Sequence, residues 1–149
     1  MYFPDRHLGF HIAVLYRLNR INTESVVQKI GISSSQIPFM ASIYLHPGIS
    51  QDEISSEHFI DKAATARQIE KLEKAGFIYR EVNSKNRRKK KIFLTKKGQE
   101  SESTFWAVLK KGNQKSFDGF SAQESEELIR LLNKAIHNQI NVYADDEKL

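Results

Sequence analysis

The stretch DKAATARQIEKLEKAGFIYREVNSKNRRKKKIFLTKKG, residues 61–98, divides into three parts. Asp61 precedes a run in which Thr65, Ile69 and Leu72 recur at steps of three and four, which predicts a helix with Asp61 as N-cap and those three residues facing inward. Gly76 supplies the turn that ends it. Beyond, Phe77 to Val82 and Lys91 to Leu94 are β-type segments flanking a loop crowded with Lys and Arg, so the pattern is a helix followed by a wing. From Lys85 to Lys97 there are eight basic residues and no acidic one, whereas the whole chain carries only +5. The positive charge is therefore focused there, and the rest of the chain is net acidic. A focused cationic loop beside a helix is the electrostatic footprint of a nucleic-acid binder.

Upstream, apolar residues at Leu8, Ile12, Leu15, Val26 and Ile30 predict an amphipathic helix from an N-cap at Asp5 to a stop at Gly31, roughly 39 Å long at 1.5 Å per residue. Ser33 with Gln36 forms a capping-box pattern ahead of a second helix carrying Phe39, Met40, Ile43 and Tyr44 and ending near His46-Pro47-Gly48. Pro38 is harmless if Ser35 is the cap and costs one backbone bond if Ser33 is. Ser50 with Glu53 is a second capping box, opening a short helix with Ile54 inward, so that Ser50 to Ala75 has the spacing of a helix-turn-helix. Downstream, Thr95 caps a predicted helix to about Lys115, with Phe105, Trp106, Val108 and Leu109 in its middle. After a break around Gly119, Ser121 with Glu124 opens a last helix striped by Leu128, Leu131, Leu132, Ala135 and Val142.

A chain of 149 residues suits one domain and buries roughly 68–70% of its unfolded surface. With no cysteine it has no disulfide framework, no thiolate nucleophile and no cysteine-type zinc site, which fits a reducing cytoplasm. The N-terminus lacks the pattern of a signal peptide, and apolar runs fall far short of the ~20 residues that span a bilayer. A soluble, cytoplasmic protein that does not engage membranes is expected. There is no G-x-S-x-G, no P-loop and no glycine-rich dinucleotide turn, so no enzyme and no cofactor are expected. His7 and His11 share a helix face at i,i+4, but a metal needs further ligands, and ordinary surface or interface histidines are the simpler reading.

Four pieces in order resemble the MarR family of winged helix-turn-helix transcriptional regulators. Ile32-Ser33, Gln36-Ile37, Met40 and Ile43 are similar to its second helix. Asp61-Lys62, Arg67, Leu72-Glu73 and Gly76-Phe77-Ile78 are similar to its recognition helix. Asn86-Arg87-Arg88 and Leu94-Thr95-Lys96-Lys97-Gly98 resemble its wing, and Phe120 to Glu124 with Leu128 the start of its last helix. Asn86 stands where the family usually has an acid that braces an arginine, and Thr65 and Gln68 stand where it tends to be apolar. The resemblance implies a mainly α fold, a winged helix-turn-helix with a small β-hairpin wing flanked by long N- and C-terminal dimerisation helices. Within one domain, residues 1–149, about 33–98 would be the DNA-binding lobe and about 5–31 and 99–144 the dimerisation helices.

On the helix from Asp61, a groove-lying element needs small residues for close approach and an arginine to fork onto guanine or phosphate. Arg67 is expected to read or clamp, Ala63 and Ala66 to permit approach, and Lys62 and Lys71 to neutralise phosphate. The plainer alternative is a solvated helix whose charges pair along its surface, Glu70 with Lys74 and Arg67 with Glu70. In the wing, the run Arg87 to Lys91 repels itself and gains nothing from burial, so a polyanion is its natural partner. The resemblance assigns Arg88 to the minor groove, with Lys85, Arg87, Lys89 and Lys90 on phosphates. Tyr16, Phe39, Tyr44, Phe105 and Trp106 either line a small-effector pocket or belong to core and interface.

These readings converge on a homodimeric regulator, by expectation a repressor, that binds a pseudo-palindromic duplex site and is released by a small-molecule effector. The terminal helices would form the dimer interface, placing two recognition helices ~34–36 Å apart on double-stranded DNA. The rival readings are a winged-helix module for protein–protein contact and an RNA-binding protein.

Overall fold

A computed structural model describes residues 7–82 and 90–146. The elements run α1 (Leu8–Val27), α2 (Ile37–Leu45), α3 (Gln51–Glu57), α4 (Lys62–Lys74), β1 (Ile78–Val82), β2 (Lys90–Leu94), α5 (Lys96–Ser116) and α6 (Ala122–Asp146). Two compact units result, Met1–Gly112 and Asn113–Leu149.

In the first unit α1 is shorter than its apolar spacing predicted. The expected N-cap, Asp5, lies outside the described residues; the helix starts at Leu8 with His7 as cap, whose Nδ1 accepts the Phe10 N–H at 3.3 Å. At its other end α1 tightens into a 3₁₀ turn, Gln28–Ile30, closed by Gly31 at φ +94°, a left-handed conformation that glycine adopts without steric cost. Ser33 and Pro38 turn out to be compatible. Ser33 precedes a 3₁₀ turn, Ser34–Gln36, with its N–H donating to Gln36 Oε1 at 2.7 Å, and α2 starts afresh at Ile37 so that Pro38 falls in its first turn. Glu24 of α1 reaches across to accept the Ser34 N–H at 2.9 Å.

The core gathers Val27, Ile32, Phe39, Met40, Ile43, Tyr44, Ile54, Ile69, Leu72, Phe77, Ile78, Ile92 and Phe105. Each such side chain contributes on the order of 1.5–3 kcal/mol when removed from water. Thus α2, α3, α4 and the hairpin share one apolar centre, and α5 closes it through Phe105. The hairpin is antiparallel, with Ile78 opposite Leu94 and Val82 opposite Lys90. Gly48 and Ile49 extend it along β2: the Gly48 N–H donates to the Ile92 carbonyl at 2.9 Å and the Ile92 N–H to the Ile49 carbonyl at 3.0 Å.

The hairpin is locked to α5 by close backbone approach. Thr95 Oγ1 donates to the Gly76 carbonyl at 2.5 Å and accepts the Gly98 N–H at 3.1 Å, acting as the expected N-cap. A Cβ on Gly98 would lie 2.2 Å from the Phe77 carbonyl oxygen, so only glycine fits at this junction. In the second unit, Ser121 and Glu124 exchange their capping bonds at 2.8 and 3.2 Å, and Phe117 packs edge-on to Phe120 with centroids 5.6 Å apart. Among the described residues no helix is long and apolar enough to cross a membrane.

Candidate nucleic-acid interface

Helix α3, the turn at residues 58–61 and helix α4 form the helix-turn-helix. Ser50 caps α3, its Oγ accepting the Glu53 N–H while Glu53 Oε2 accepts the Ser50 N–H at 2.7 Å. Asp61 caps α4 by accepting the Ala64 N–H at 2.8 Å. Thr65, Ile69 and Leu72 are buried, as their spacing predicts, which fixes the rotation of α4 about its axis. Thr65 meets the demand of a buried hydroxyl locally, donating to the Asp61 carbonyl at 3.0 Å.

With that face inward, Lys62, Ala63, Arg67 and Lys71 are exposed and Ala66 is half-buried. Lys62 pairs with Asp52 of α3 at 3.4 Å, and Lys74 with Glu70 at 2.6 Å. The surface pairing of Glu70 with Lys74 therefore exists, but Arg67 takes no part in it and makes no ion pair among the described residues. A guanidinium on an outward helical face beside small side chains is a geometry suited to forked hydrogen bonds with a base edge or a phosphate.

Of the expected wing residues, Lys85, Arg87, Arg88 and Lys89, together with Asn86, lie outside the described residues. Lys90 opens β2, exposed and opposite Val82. Two cations of the basic cluster are engaged at the wing root instead. Lys97 donates to the Ala75 carbonyl at 2.6 Å and lies 4.2 Å over the Phe77 ring, and Lys96 pairs with Glu100 at 3.8 Å.

Residues 32–90 match the MarR family. The structure as a whole is similar to a MarR transcriptional regulator from Methanosarcina mazei, with 31% sequence identity, a TM-score of 0.85, and coverage of 91% of this chain and 97% of that one. This chain belongs to the MarR family. It is also similar to a MarR protein from Peptoclostridium difficile (26% identity, TM-score 0.88, covering 97% and 96% of the two chains). A regulator from Listeria monocytogenes assigned to the MarR family and complexed with a 26mer DNA shares the fold (24% identity, TM-score 0.88, 96% and 95% covered).

Other candidate residues of this MarR-family chain are dispersed. Tyr44, Phe105 and Trp106 pack ring against ring with centroids 5.0–6.1 Å apart, and Phe39 is buried, but Tyr16 is 61% exposed on α1. The five aromatics therefore do not line one pocket. His7 serves as a cap, and His11 Nδ1 lies 3.0 Å from the His7 carbonyl. Among the described residues no group of three or more metal-ligating side chains comes together.

Residue spacing alone missed Arg80. It lies on the inner face of the hairpin, and its guanidinium donates to the Glu73 carboxylate of α4 in a close ion pair. That hydrogen bond holds Glu73 below the usual carboxylate range, with the positive charges of Arg80 and Lys90 adding to the effect. The one available sequence signal was strand alternation, which puts Arg80 on the same side as Ile78; nothing in the spacing names Glu73 as its partner.

Proposed function

We propose that this MarR-family protein is a sequence-specific, double-stranded DNA-binding transcriptional regulator, acting as a homodimer on a pseudo-palindromic operator. The observation that carries the reading is the rotation of α4. Burial of Thr65, Ile69 and Leu72 turns Arg67, Ala63, Lys62 and Lys71 to solvent, beside a hairpin whose connecting sequence holds five consecutive basic residues, Arg87 to Lys91. The DNA complex of the Listeria relative supports the same use of this fold.

In this reading Arg67 reads or clamps a base edge in the major groove, and Ala63 and Ala66 permit the approach. Lys62, Lys71, Lys85, Arg87, Lys89 and Lys90 neutralise phosphate, and Arg88 enters the minor groove. The dimer interface comes from the terminal helices, and the protein represses by occupying its site. A small effector that binds one separation of the two winged lobes better than the other would release it, with a coupling of ~1–3 kcal/mol.

The deciding experiment incubates the purified protein with fragmented genomic DNA and sequences what is retained at moderate salt. Enrichment of one common inverted repeat is expected, and its loss on Arg67→Ala. Retention without a shared repeat, or equal competition by A-form RNA of the same sequence, would overturn the reading.

A further inference from the structure

We propose that Glu73 and Arg80 form a strut that sets the angle of the wing against α4, so that the wing's cations meet phosphate only while that pair is intact. The inference rests on the DNA-binding reading above and adds two residues that need not touch DNA.

Glu73 stands in the last turn of α4, and Arg80 is the third residue of β1. Between them the chain passes through Gly76, held at φ +78°, so the helix and the hairpin are joined by a tight turn. Ile78, Leu94 and Ile92 anchor the near end of the hairpin in the core. The far end, Val82 and Lys90, has both residues exposed, and hydrophobic burial does not hold it. Arg80 lies between these ends, opposite Ile92 in the register, and its ion pair is the next fixed point along the hairpin.

The pair is no ordinary surface contact. Its side chains are only 27% and 32% exposed, against 52–77% for the Lys62–Asp52 and Lys74–Glu70 pairs nearby. Partial removal from water strengthens a charge-assisted bond, and a planar guanidinium fixes direction as well as distance. Glu73 also feels the positive charge of Lys90 across the gap. One carboxylate of α4 thus faces cations from both strands, and it directs the chain where it leaves the sheet after Val82 and returns at Lys90.

The strut makes a prediction whose sign opposes simple electrostatics. Glu73→Gln removes a negative charge from a DNA-facing lobe, which by itself tightens binding to a polyanion and leaves the salt slope unchanged or steeper. Without the strut the wing's cations lose their registration, so the slope should become shallower by about 0.9 for each phosphate the wing no longer reaches. Affinity at 0.1 M salt should fall roughly three- to tenfold when one or two phosphates go unneutralised.

The test measures binding of the full-length protein to a random-sequence 26-base-pair duplex across a salt series, well below each variant's melting temperature. Glu73→Gln should flatten the slope. Arg80→Lys, which keeps the charge but loses the fork, should do the same, and the exchange Glu73→Arg with Arg80→Glu should restore it. A role confined to stability would lower the melting temperature and leave the slope of the folded protein unmoved, which overturns the strut. Wild-type slope and affinity in Glu73→Gln and Arg80→Lys would likewise overturn the strut alone. Failure of the wild-type protein to bind the duplex would instead overturn the DNA-binding reading, and the strut with it.

Discussion

Phe59 shows how much a single residue can carry that its spacing does not. It ends α3 in a left-handed conformation, φ +52°, the one non-glycine with positive φ among the described residues. The surrounding bonds are those of a Schellman closure: the Ile60 N–H donates to the Ser55 carbonyl at 3.1 Å and the Phe59 N–H to the Ser56 carbonyl at 3.4 Å. Ser55 Oγ reinforces it by donating to the Ile60 carbonyl at 2.6 Å. The position favours glycine, and a Cβ there costs energy that backbone entropy only partly offsets. With the ring 57% exposed, Phe59→Gly is expected to stabilise the fold by about 0.5–1 kcal/mol, raising the melting temperature by about 2–4 °C. A fall in melting temperature would show that the ring's packing outweighs the strain. Gln68 is a second local conflict: its Oε1 is buried without a hydrogen-bond partner among the described residues, on a helix face the family tends to keep apolar.

At the scale of the element, α4 separates fold from site. Its inward residues are packed into the shared core, with Ile69 and Leu72 fully buried, while Arg67 points away from it. Leu72→Ala should therefore destabilise the protein by about 2–5 kcal/mol through lost transfer energy and a residual cavity. Arg67→Ala should change stability by less than about 0.5 kcal/mol, as is usual for surface substitutions, yet weaken binding to any selected operator by about tenfold or more. Denaturant unfolding and fluorescence anisotropy measure the two effects separately. If Arg67→Ala destabilises the fold or leaves binding unchanged, the assignment of that face fails. The hairpin depends on its neighbours in the same way: Thr95 and Gly98 tie it to α5, and Glu73 ties it to α4.

At the scale of the molecule, the apolar stripes of the terminal helices lack sufficient cover in a single chain. On α1, Leu8, Ile12, Leu15, Leu18 and Ile21 are 44–69% exposed; on α6, Ile129, Leu131, Ile136 and Val142 are 47–57% exposed. Exposed apolar surface on this scale marks an interaction surface, and a second copy buries both stripes by the same operation. The wild-type protein should sediment as a dimer at micromolar concentration. Leu15→Glu with Ile21→Glu should sediment as a folded monomer and bind operator DNA at least tenfold more weakly, since one recognition helix then acts alone. A monomeric wild-type protein would remove the basis for a two-fold operator.

Periodicity and capping chemistry in the sequence determined the order of elements, the inward face of α4 and the concentration of charge in the wing. Each of these depends on residues within a few positions of one another: Ser50 with Glu53, Asp61 with Ala64, Thr65 with Ile69 and Leu72. Those pairings survive in the structure because local spacing fixes them before tertiary packing acts. Tertiary structure alone decided what lies between elements. It joined Glu73 to Arg80 across a turn, drew Lys97 onto Phe77, closed α3 at Phe59 and separated Tyr16 from the rings of Tyr44, Phe105 and Trp106. Such contacts depend on how elements pack in three dimensions, which no sequence period encodes.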